Sequence, residues 1–126
     1  MTTVLDAGTL RRWLKGTLDG RGDANADRTL VIPTVVLADL LAQLATVGAR
    51  PDHVLRDLTI EGLATLDLTA EDAVRIAELQ RDPRVRALSL ADQASLALAV
   101  RLRATLVTTN PDLADVDVGV PVRVVA

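Results

Sequence analysis

Apolar residues along this chain form short runs and helical stripes that alternate with polar segments. Thr3–Leu5 is a short apolar run that ends at Asp6, which predicts a first strand. Ala7–Leu18 then carries large apolar residues at helical spacing, with three basic residues on the other face, and predicts a helix. Gly, Asp and Asn dominate Asp19–Arg28, so this segment is predicted to be a loop.

The middle of the chain continues this alternation. Leu30–Ile32 leads into Pro33, a residue that suits the first turn of a helix running to about Thr46. That helix is apolar nearly all round, and its polar residues form one narrow stripe made of Asp39, Gln43 and Thr46. The pattern then predicts a helix, a strand and a second helix, at Pro51–Leu58, Thr59–Leu68 and Thr69–Gln80. Thr69 and Asp72 resemble a capping box with Asp in place of Glu.

The last third of the chain carries the clearest pattern. Ser89–Arg103 predicts a helix that is buried on most sides, because its residues 96–100 are apolar without a break. The remaining segments predict a strand, a short helix or turn, and a final strand, at Ala104–Thr109, Asn110–Asp112 and Val120–Val125. Strands that alternate with helices predict an α/β fold, with a parallel sheet flanked by helices on both faces.

Composition limits the possible classes of protein. A chain of 126 residues fits one domain with one substantial core. Aromatic residues are nearly absent, so the core must be built from Leu, Val, Ile and Ala. The sequence has no cysteine, which excludes disulfides, thiolate metal sites and cysteine nucleophiles. It lacks a signal peptide and any apolar stretch near the roughly 20 residues that span a bilayer, so we expect a soluble, cytoplasmic protein.

The formal net charge of −3 is unusual for a protein that binds nucleic acid, which is typically basic and rich in stacking aromatics. Any contact with RNA would therefore have to come from local clusters of arginine. Arg11, Arg12 and Lys15 begin one turn beyond Asp6. They are either a solvated helix face or a set of phosphate contacts.

Acidic and amide side chains are predicted to meet at one edge of the sheet, where the parallel strands have their carboxyl ends. Asp6 and Asn110 each follow a strand directly. Asp92 lies in the first turn of the helix that feeds the Ala104–Thr109 strand, so it belongs to the same edge. Asp39 lies in the second turn of another buried helix, on that helix's only polar stripe.

Carboxylates that lie a few ångströms apart repel each other, and they either take up protons or require a cation. Mg²⁺ or Mn²⁺ is the natural counter-ion, because hard cations prefer oxygen ligands. A metal held in this way can activate water and stabilise a displacement at phosphorus. Such chemistry requires no histidine, lysine or cysteine, which suits a chain with one His and one Lys.

Each of these residues also has a purely structural interpretation. Asp92 and Ser89 form the Ser-x-x-Asp pattern of a helix cap. Asn110 precedes a proline, as an ordinary N-cap residue does. Asp39 suits the solvated face of its helix. Asp6 has the least structural reason to lie between an apolar strand and an apolar helix, which favours a functional role.

Four blocks of the chain carry a resemblance to a known family: VLDA at residues 4–7, VLADLL at 36–41, LSLADQASLALA at 88–99 and LVTTN at 106–110. They resemble the successive blocks of PIN domains, and the closest likeness is to bacterial VapC-type toxins of toxin–antitoxin pairs. The third block is the most specific. The resemblance covers essentially the whole chain.

This resemblance implies a single PIN-like domain over residues 1–126, with a four- or five-stranded parallel sheet. It implies Mg²⁺ or Mn²⁺ in a pocket of three or four acids, endoribonuclease activity, a homodimer, and inhibition by a small antitoxin protein. Asp6 and Asp92 match the first and third acids of the family, and Asp39 stands where Glu is usual.

The chain departs from the family pattern at two positions. Asn110 stands where Asp is usual, and Gly8 stands where many relatives have Ser or Asn. A neutral amide adds no charge, so metal affinity should fall, unless Asp112 supplies a carboxylate instead.

The sequence is compatible with three functional hypotheses. The first is a metal-dependent ribonuclease toxin, with Asp6, Asp39 and Asp92 as catalytic residues and Asn110 and Asp112 as further metal-binding residues. The second is a PIN-like module that has lost catalysis and serves in RNA binding or protein association. The third, a phosphoacceptor receiver domain, is set aside because its chemistry uses a lysine at a strand end, and the only lysine lies within the first predicted helix.

Overall fold

Five short strands follow one another along the chain and pair into one parallel sheet, in a computed structural model that describes residues 1–16 and 29–125. The strands are β1 (Thr2–Leu5), β2 (Thr29–Pro33), β3 (Ala64–Leu66), β4 (Thr105–Thr108) and β5 (Val122–Val124). Their order across the sheet is β3-β2-β1-β4-β5, so β1 lies at the centre.

Helices occupy the connections between these strands. They are α1 (Ala7–Leu14), α2 (Thr34–Ala45), α3 (Pro51–Ile60), α4 (Ala70–Leu79), α5 (Pro83–Arg86) and α6 (Leu90–Leu102), with a 3₁₀ helix at Pro111–Leu113. None of the helices in the described part of the chain is long and apolar enough to span a bilayer.

Both faces of the sheet are buried. Adjacent residues of the three central strands point to opposite faces, and each face packs against helices. One face contributes to a core shared with α1, α2 and α3 through Leu5, Ile32 and Val107. The other face contributes to a core shared with α5, α6 and the 3₁₀ helix through Val4, Val31 and Leu106. Helices therefore cover the parallel sheet on both sides, which confirms the predicted fold class.

Several predicted elements are confirmed in detail. Helix α6 begins at an N-cap, Ser89, and eight of its residues are buried. The Thr69 side chain accepts from the backbone of Asp72, and the Asp72 side chain accepts from the backbone of Thr69, as a capping box does. The Asn110–Asp112 segment opens a short 3₁₀ helix.

Other predictions are wrong, and local geometry explains each. The strand predicted at Thr59–Leu68 shrinks to three residues, because α3 continues to Ile60 and Gly62 then turns the chain at a φ of +90°. Helix α1 ends at Leu14, and Lys15 is its C-cap residue, whose N–H donates to the Arg11 carbonyl oxygen. The predicted end of that helix at Leu18 and the loop at residues 19–28 lie outside the described residues.

Two proline-containing segments also differ from the prediction. Pro33 ends β2 and is the N-cap residue of α2, rather than part of its first turn. Helix α5 was not predicted, although Asp82 caps it by accepting from the Arg84 N–H, and Pro83 opens it. The same Asx-Pro signal correctly predicted the 3₁₀ helix at Pro111.

Candidate active site

Asp6 joins the end of β1 to the start of α1 and is only 3% exposed. Its Oδ1 accepts hydrogen bonds from the Thr9 backbone N–H at 2.9 Å and from the Thr9 hydroxyl at 2.6 Å. Its Oδ2 accepts from the Thr108 hydroxyl at 2.5 Å. Donors from α1 and from β4 therefore fix the carboxylate from two sides.

Asp6 has a clearer structural role than the sequence suggested, because its side chain is the N-cap of α1; its functional role stays a prediction. Thr9 and Thr108 are also residues that the sequence reasoning missed. An Asp followed three residues later by Thr is a recognisable cap spacing and would have indicated Thr9. No spacing rule indicates Thr108, which lies 102 residues from Asp6 along the chain.

Asp92 lies in the first turn of α6 and is held against the β1–α1 corner. Its Oδ1 accepts from the Ala7 N–H at 3.1 Å, and its own N–H donates to the Ser89 hydroxyl at 3.2 Å. Burial raises the pKa of Asp92, and the neighbouring charge of Asp6 raises it further. The hydrogen bond from the Ala7 N–H and the charge of Arg11 lower this pKa, but by less. Asp6 and Asp92 are thus a pair of interacting carboxylates at the carboxyl edge of the sheet.

Ser95 fixes the helix that carries Asp92. Its side chain is fully buried, and its hydroxyl donates to the Leu5 carbonyl oxygen at 3.0 Å. The Asp6 N–H donates to the Val107 carbonyl oxygen at 3.3 Å. The end of β1 is thus hydrogen-bonded both to α6 and to β4. These bonds fix where Asp6 lies relative to Asp92.

Asp39 lies on α2, is half-buried, and is bound indirectly to α1. Its Oδ2 accepts from Gln43 Nε2 at 3.3 Å. Gln43 Oε1 in turn accepts from Arg11 Nη1 at 3.4 Å. The predicted polar stripe of α2 therefore exists, and it faces α1 through this chain of hydrogen bonds.

Asn110 acts as the N-cap that the structural interpretation predicted. Its Oδ1 accepts from the Asp112 N–H at 2.9 Å, and its own N–H donates to the Thr108 hydroxyl at 3.0 Å. Asp112 is exposed on the 3₁₀ helix. Since the amide oxygen of Asn110 already serves the backbone, it is a weak candidate for a direct metal ligand.

Gly8 lies against Thr109, and this contact explains why the position holds no side chain. A Cβ at Gly8 would lie 2.6 Å from the Thr109 Oγ1, well inside van der Waals contact, but 3.8 Å from the Thr109 Cβ. The Thr109 hydroxyl therefore occupies the space that a side chain at Gly8 would need.

Gly8→Ala is expected to destabilise the domain by about 1 kcal/mol, because overpacking against Thr109 outweighs the helix propensity that alanine adds. In a Thr109→Ala background the same change should instead stabilise α1 by about 0.5–1 kcal/mol, the ordinary difference between the two residues. Urea unfolding of the four proteins of this cycle measures the coupling. Equal effects of Gly8→Ala in both backgrounds would contradict the close contact.

The residues present fit a hydrated metal ion better than a fully protein-bound one. Within residues 1–16 and 29–125, no group of three or more Asp, Glu, His or Cys side chains is placed to hold a metal. The structure brings Asp6 and Asp92 together and leaves Asp39, Asn110 and Asp112 with other hydrogen-bond partners or exposed. Mg²⁺ commonly binds through one or two carboxylates and keeps several waters, which matches this pair.

Comparisons with known proteins agree with the fold. A family model of the PIN domain matches residues 4–119. A chain from the crystal structure of VapBC2 from Rickettsia felis, bound to a DNA fragment from their promoter, gives a TM-score of 0.77 at 17% identity, with 100% of both chains covered. A chain from a toxin–antitoxin complex of Klebsiella pneumoniae gives 0.71 at 19% identity, with 94% of both chains covered. None of the curated proteins matches the sequence.

The family match begins within β1, two residues before Asp6, and ends beyond the 3₁₀ helix that follows β4. It thus includes the paired carboxylates and every element that positions them. The similarity to these solved structures covers 94–100% of this chain and supports the same overall fold. This chain belongs to the PIN domain family.

Proposed function

We propose that this protein is a divalent-metal-dependent endoribonuclease of PIN type that hydrolyses RNA phosphodiester bonds. The observation that carries the proposal is that Asp92 accepts from the N–H of Ala7, the residue that follows Asp6, so both carboxylates lie at the β1–α1 corner. Burial, and to a lesser degree the charge of Asp6, raises the pKa of Asp92. Two carboxylates kept this close at neutral pH favour binding of a cation. Membership of the PIN family supports nuclease chemistry at this edge of the sheet.

The named residues take separate roles in this proposal. Asp6 and Asp92 hold Mg²⁺ or Mn²⁺, which when bound polarises a phosphoryl oxygen and lowers the pKa of a coordinated water. Asp39, on α2, is proposed as the third acid of the site and would add negative charge to it. Asn110 and Asp112 are proposed to bind the metal through water as well, since neither offers a free, buried oxygen.

The partners follow from the relatives. The similar solved structures come from VapBC2 and from a toxin–antitoxin complex. We therefore infer that this chain is the toxin of such a pair, that a small antitoxin protein inhibits it, and that it acts as a cytoplasmic homodimer. The antitoxin is tested by searching beside the gene for a small reading frame, co-expressing its product with this chain and asking whether the two co-purify.

The activity itself is tested with purified protein and a labelled RNA. Cleavage should require Mg²⁺ or Mn²⁺ and should stop when EDTA is added. Persistent cleavage in EDTA would reject the metal-dependent mechanism.

A second candidate function is a PIN-like module with weakened or lost catalysis that serves in RNA binding or protein association. The specific observation in its favour is that both oxygens of Asp6 accept threonine donors and that Asn110 caps a helix. Such a module would bind RNA or a partner protein but bind Mn²⁺ only at millimolar concentrations. Calorimetric titration of Mn²⁺ separates the two functions.

Asn110→Asp is expected to tighten Mg²⁺ or Mn²⁺ binding and to increase any cleavage, because it adds a negative charge beside the pair. Aspartate is as good an N-cap as asparagine, so the 3₁₀ helix should keep its first hydrogen bond. Calorimetry on both proteins measures the change, which we expect to be about tenfold for one added carboxylate. Equal affinities would show that Asn110 is only a cap.

A further inference from the structure

Arg11 is a half-buried cation beside the paired carboxylates. It lies on α1 one turn after Gly8, and its Nη2 is 3.9 Å from the position that a Cβ at Gly8 would take. Its positive charge opposes the rise in the pKa of Asp92. The guanidinium therefore lies near the acids, on the side of α1 that carries Gly8.

Arg11 nevertheless forms no ion pair with any residue of the described ranges. Its hydrogen-bond acceptor is the neutral amide oxygen of Gln43. A cation whose role was to neutralise the acidic cluster would be expected to contact a carboxylate directly. An amide acceptor orients the guanidinium but leaves its charge available to another anion.

Gln43 is suited to hold Arg11 in this way. One side chain accepts from the cation with its oxygen and donates to the Asp39 carboxylate with its nitrogen. A carboxamide can do both at once, because its oxygen accepts and its nitrogen donates. Asp39 thus fixes the orientation of the amide, and the amide fixes the guanidinium.

We propose that Arg11 binds a phosphate of the RNA backbone at the mouth of the acidic site, with Gln43 as the residue that positions it. This proposal rests on the proposed function and names the group that brings RNA to it. A chain with a net charge of −3 and paired carboxylates repels RNA, so binding requires a local cation. The planar guanidinium matches two phosphate oxygens, which a single ammonium does not.

The test measures RNA binding and metal binding on the same variants. In EDTA, fluorescence anisotropy with a labelled single-stranded RNA should show about tenfold weaker binding by Arg11→Gln, with a salt slope smaller by about 0.7 for the lost phosphate contact. In a separate titration without RNA, Arg11→Gln should bind Mn²⁺ a few-fold more tightly, since a nearby positive charge is gone. A merely structural role would not move the two affinities in opposite directions.

Two further variants complete the design. Arg103→Gln makes the same charge change at the opposite end of α6 from Asp92, and it should leave both affinities unchanged. Gln43→Glu keeps Arg11 but gives it a carboxylate partner, so RNA binding should fall as in Arg11→Gln. This second variant retains the test if Arg11→Gln fails to fold.

The outcomes separate this proposal from the nuclease proposal. If wild-type protein cleaves RNA and Arg11→Gln binds RNA with unchanged affinity and salt slope, the role of Arg11 is rejected and the nuclease remains. If wild-type protein binds RNA without cleaving it and Arg11→Gln binds more weakly, the nuclease is rejected and the role of Arg11 remains. If wild-type protein binds no RNA, the role of Arg11 is rejected.

Discussion

Asp92→Asn is expected to slow metal-dependent RNA cleavage at least about 100-fold, because a bound metal contributes several kcal/mol and about 1.4 kcal/mol is a factor of ten. Asparagine keeps the oxygen that accepts from the Ala7 N–H, so the contact between α6 and the β1–α1 corner survives. Cleavage of a labelled RNA under single-turnover conditions measures the change. Asp117→Asn, an exposed change of the same kind, should cleave at the wild-type rate.

The same variant reports on the electrostatics of the pair when no metal is present. Burial raises the pKa of Asp92 in the folded state, so the folded protein binds more protons than the unfolded chain as pH rises through this group's titration. Stability is therefore lost as pH rises. Asp92→Asn removes this loss, and it should melt a few degrees above wild type at neutral pH, with the gain disappearing in acid.

Asp6→Asn should lose cleavage as well, but it should also destabilise the fold. Its amide nitrogen would replace an oxygen that now accepts from Thr9 or Thr108. Either the Thr9 backbone N–H or the buried Thr108 hydroxyl would lose its acceptor, at a cost of about 1–3 kcal/mol, whereas the Thr9 hydroxyl would keep the Val107 carbonyl oxygen. Undiminished cleavage by both variants would reject the site.

The pattern of the sequence predicted the sheet and the helices that frame the site, because these depend on local periodicity. Helix α6 and its cap at Ser89 are set by residues within one helix, and so were predictable. A strand was also predicted where β3 lies, but its bounds were not, because the apolar residues between Leu58 and Leu68 suit a helix or a strand and Gly62 decides where one ends and the other begins.

The site was predicted less completely than the fold, for a physical reason. Asp6 and Asp92 were found because each follows or opens an element whose direction was known. The threonine donors to Asp6, the contact between Gly8 and Thr109, and the amide of Gln43 that joins α1 to α2 depend on side chains that meet across the fold. Sequence spacing alone does not show which side chains meet in this way.

Arg101→Ala is expected to destabilise the domain by about 1–3 kcal/mol, because it removes the cationic partner of a buried carboxylate. The cost is smaller than for a fully buried ion pair, since the Arg101 side chain is 32% exposed and solvent screens its charge. The Asp72 side chain is only 3% exposed, and its Oδ1 accepts from Arg101 Nε at 3.1 Å. Without Arg101 the buried carboxylate would keep only the Thr69 N–H, at 3.0 Å from its Oδ2. Arg101 also donates to the Asp67 carbonyl oxygen, which ties α6 to the start of α4. Urea unfolding measures the loss.

Arg75→Ala is the matched control on the neighbouring helix. Arg75 pairs with Glu78 at 3.4 Å, but both side chains are about half exposed. Solvent screens such a pair, so its removal should change the free energy of unfolding by less than about 1 kcal/mol. Equal effects of the two arginine changes would show that the Asp72–Arg101 pair contributes no more than a surface pair does.

The groups that contact each other around Asp6 are far apart in the sequence. This separation determines when the site can form during translation. The Thr108 hydroxyl lies 102 residues after Asp6, and Asp92 lies 85 residues after the Ala7 N–H that it accepts. Contacts at such separation form late and slow the folding of a domain. A growing chain on the ribosome therefore carries Asp6 well before it carries the partners of that residue. The acidic site can assemble only after Asp92 and Thr108 have also been translated.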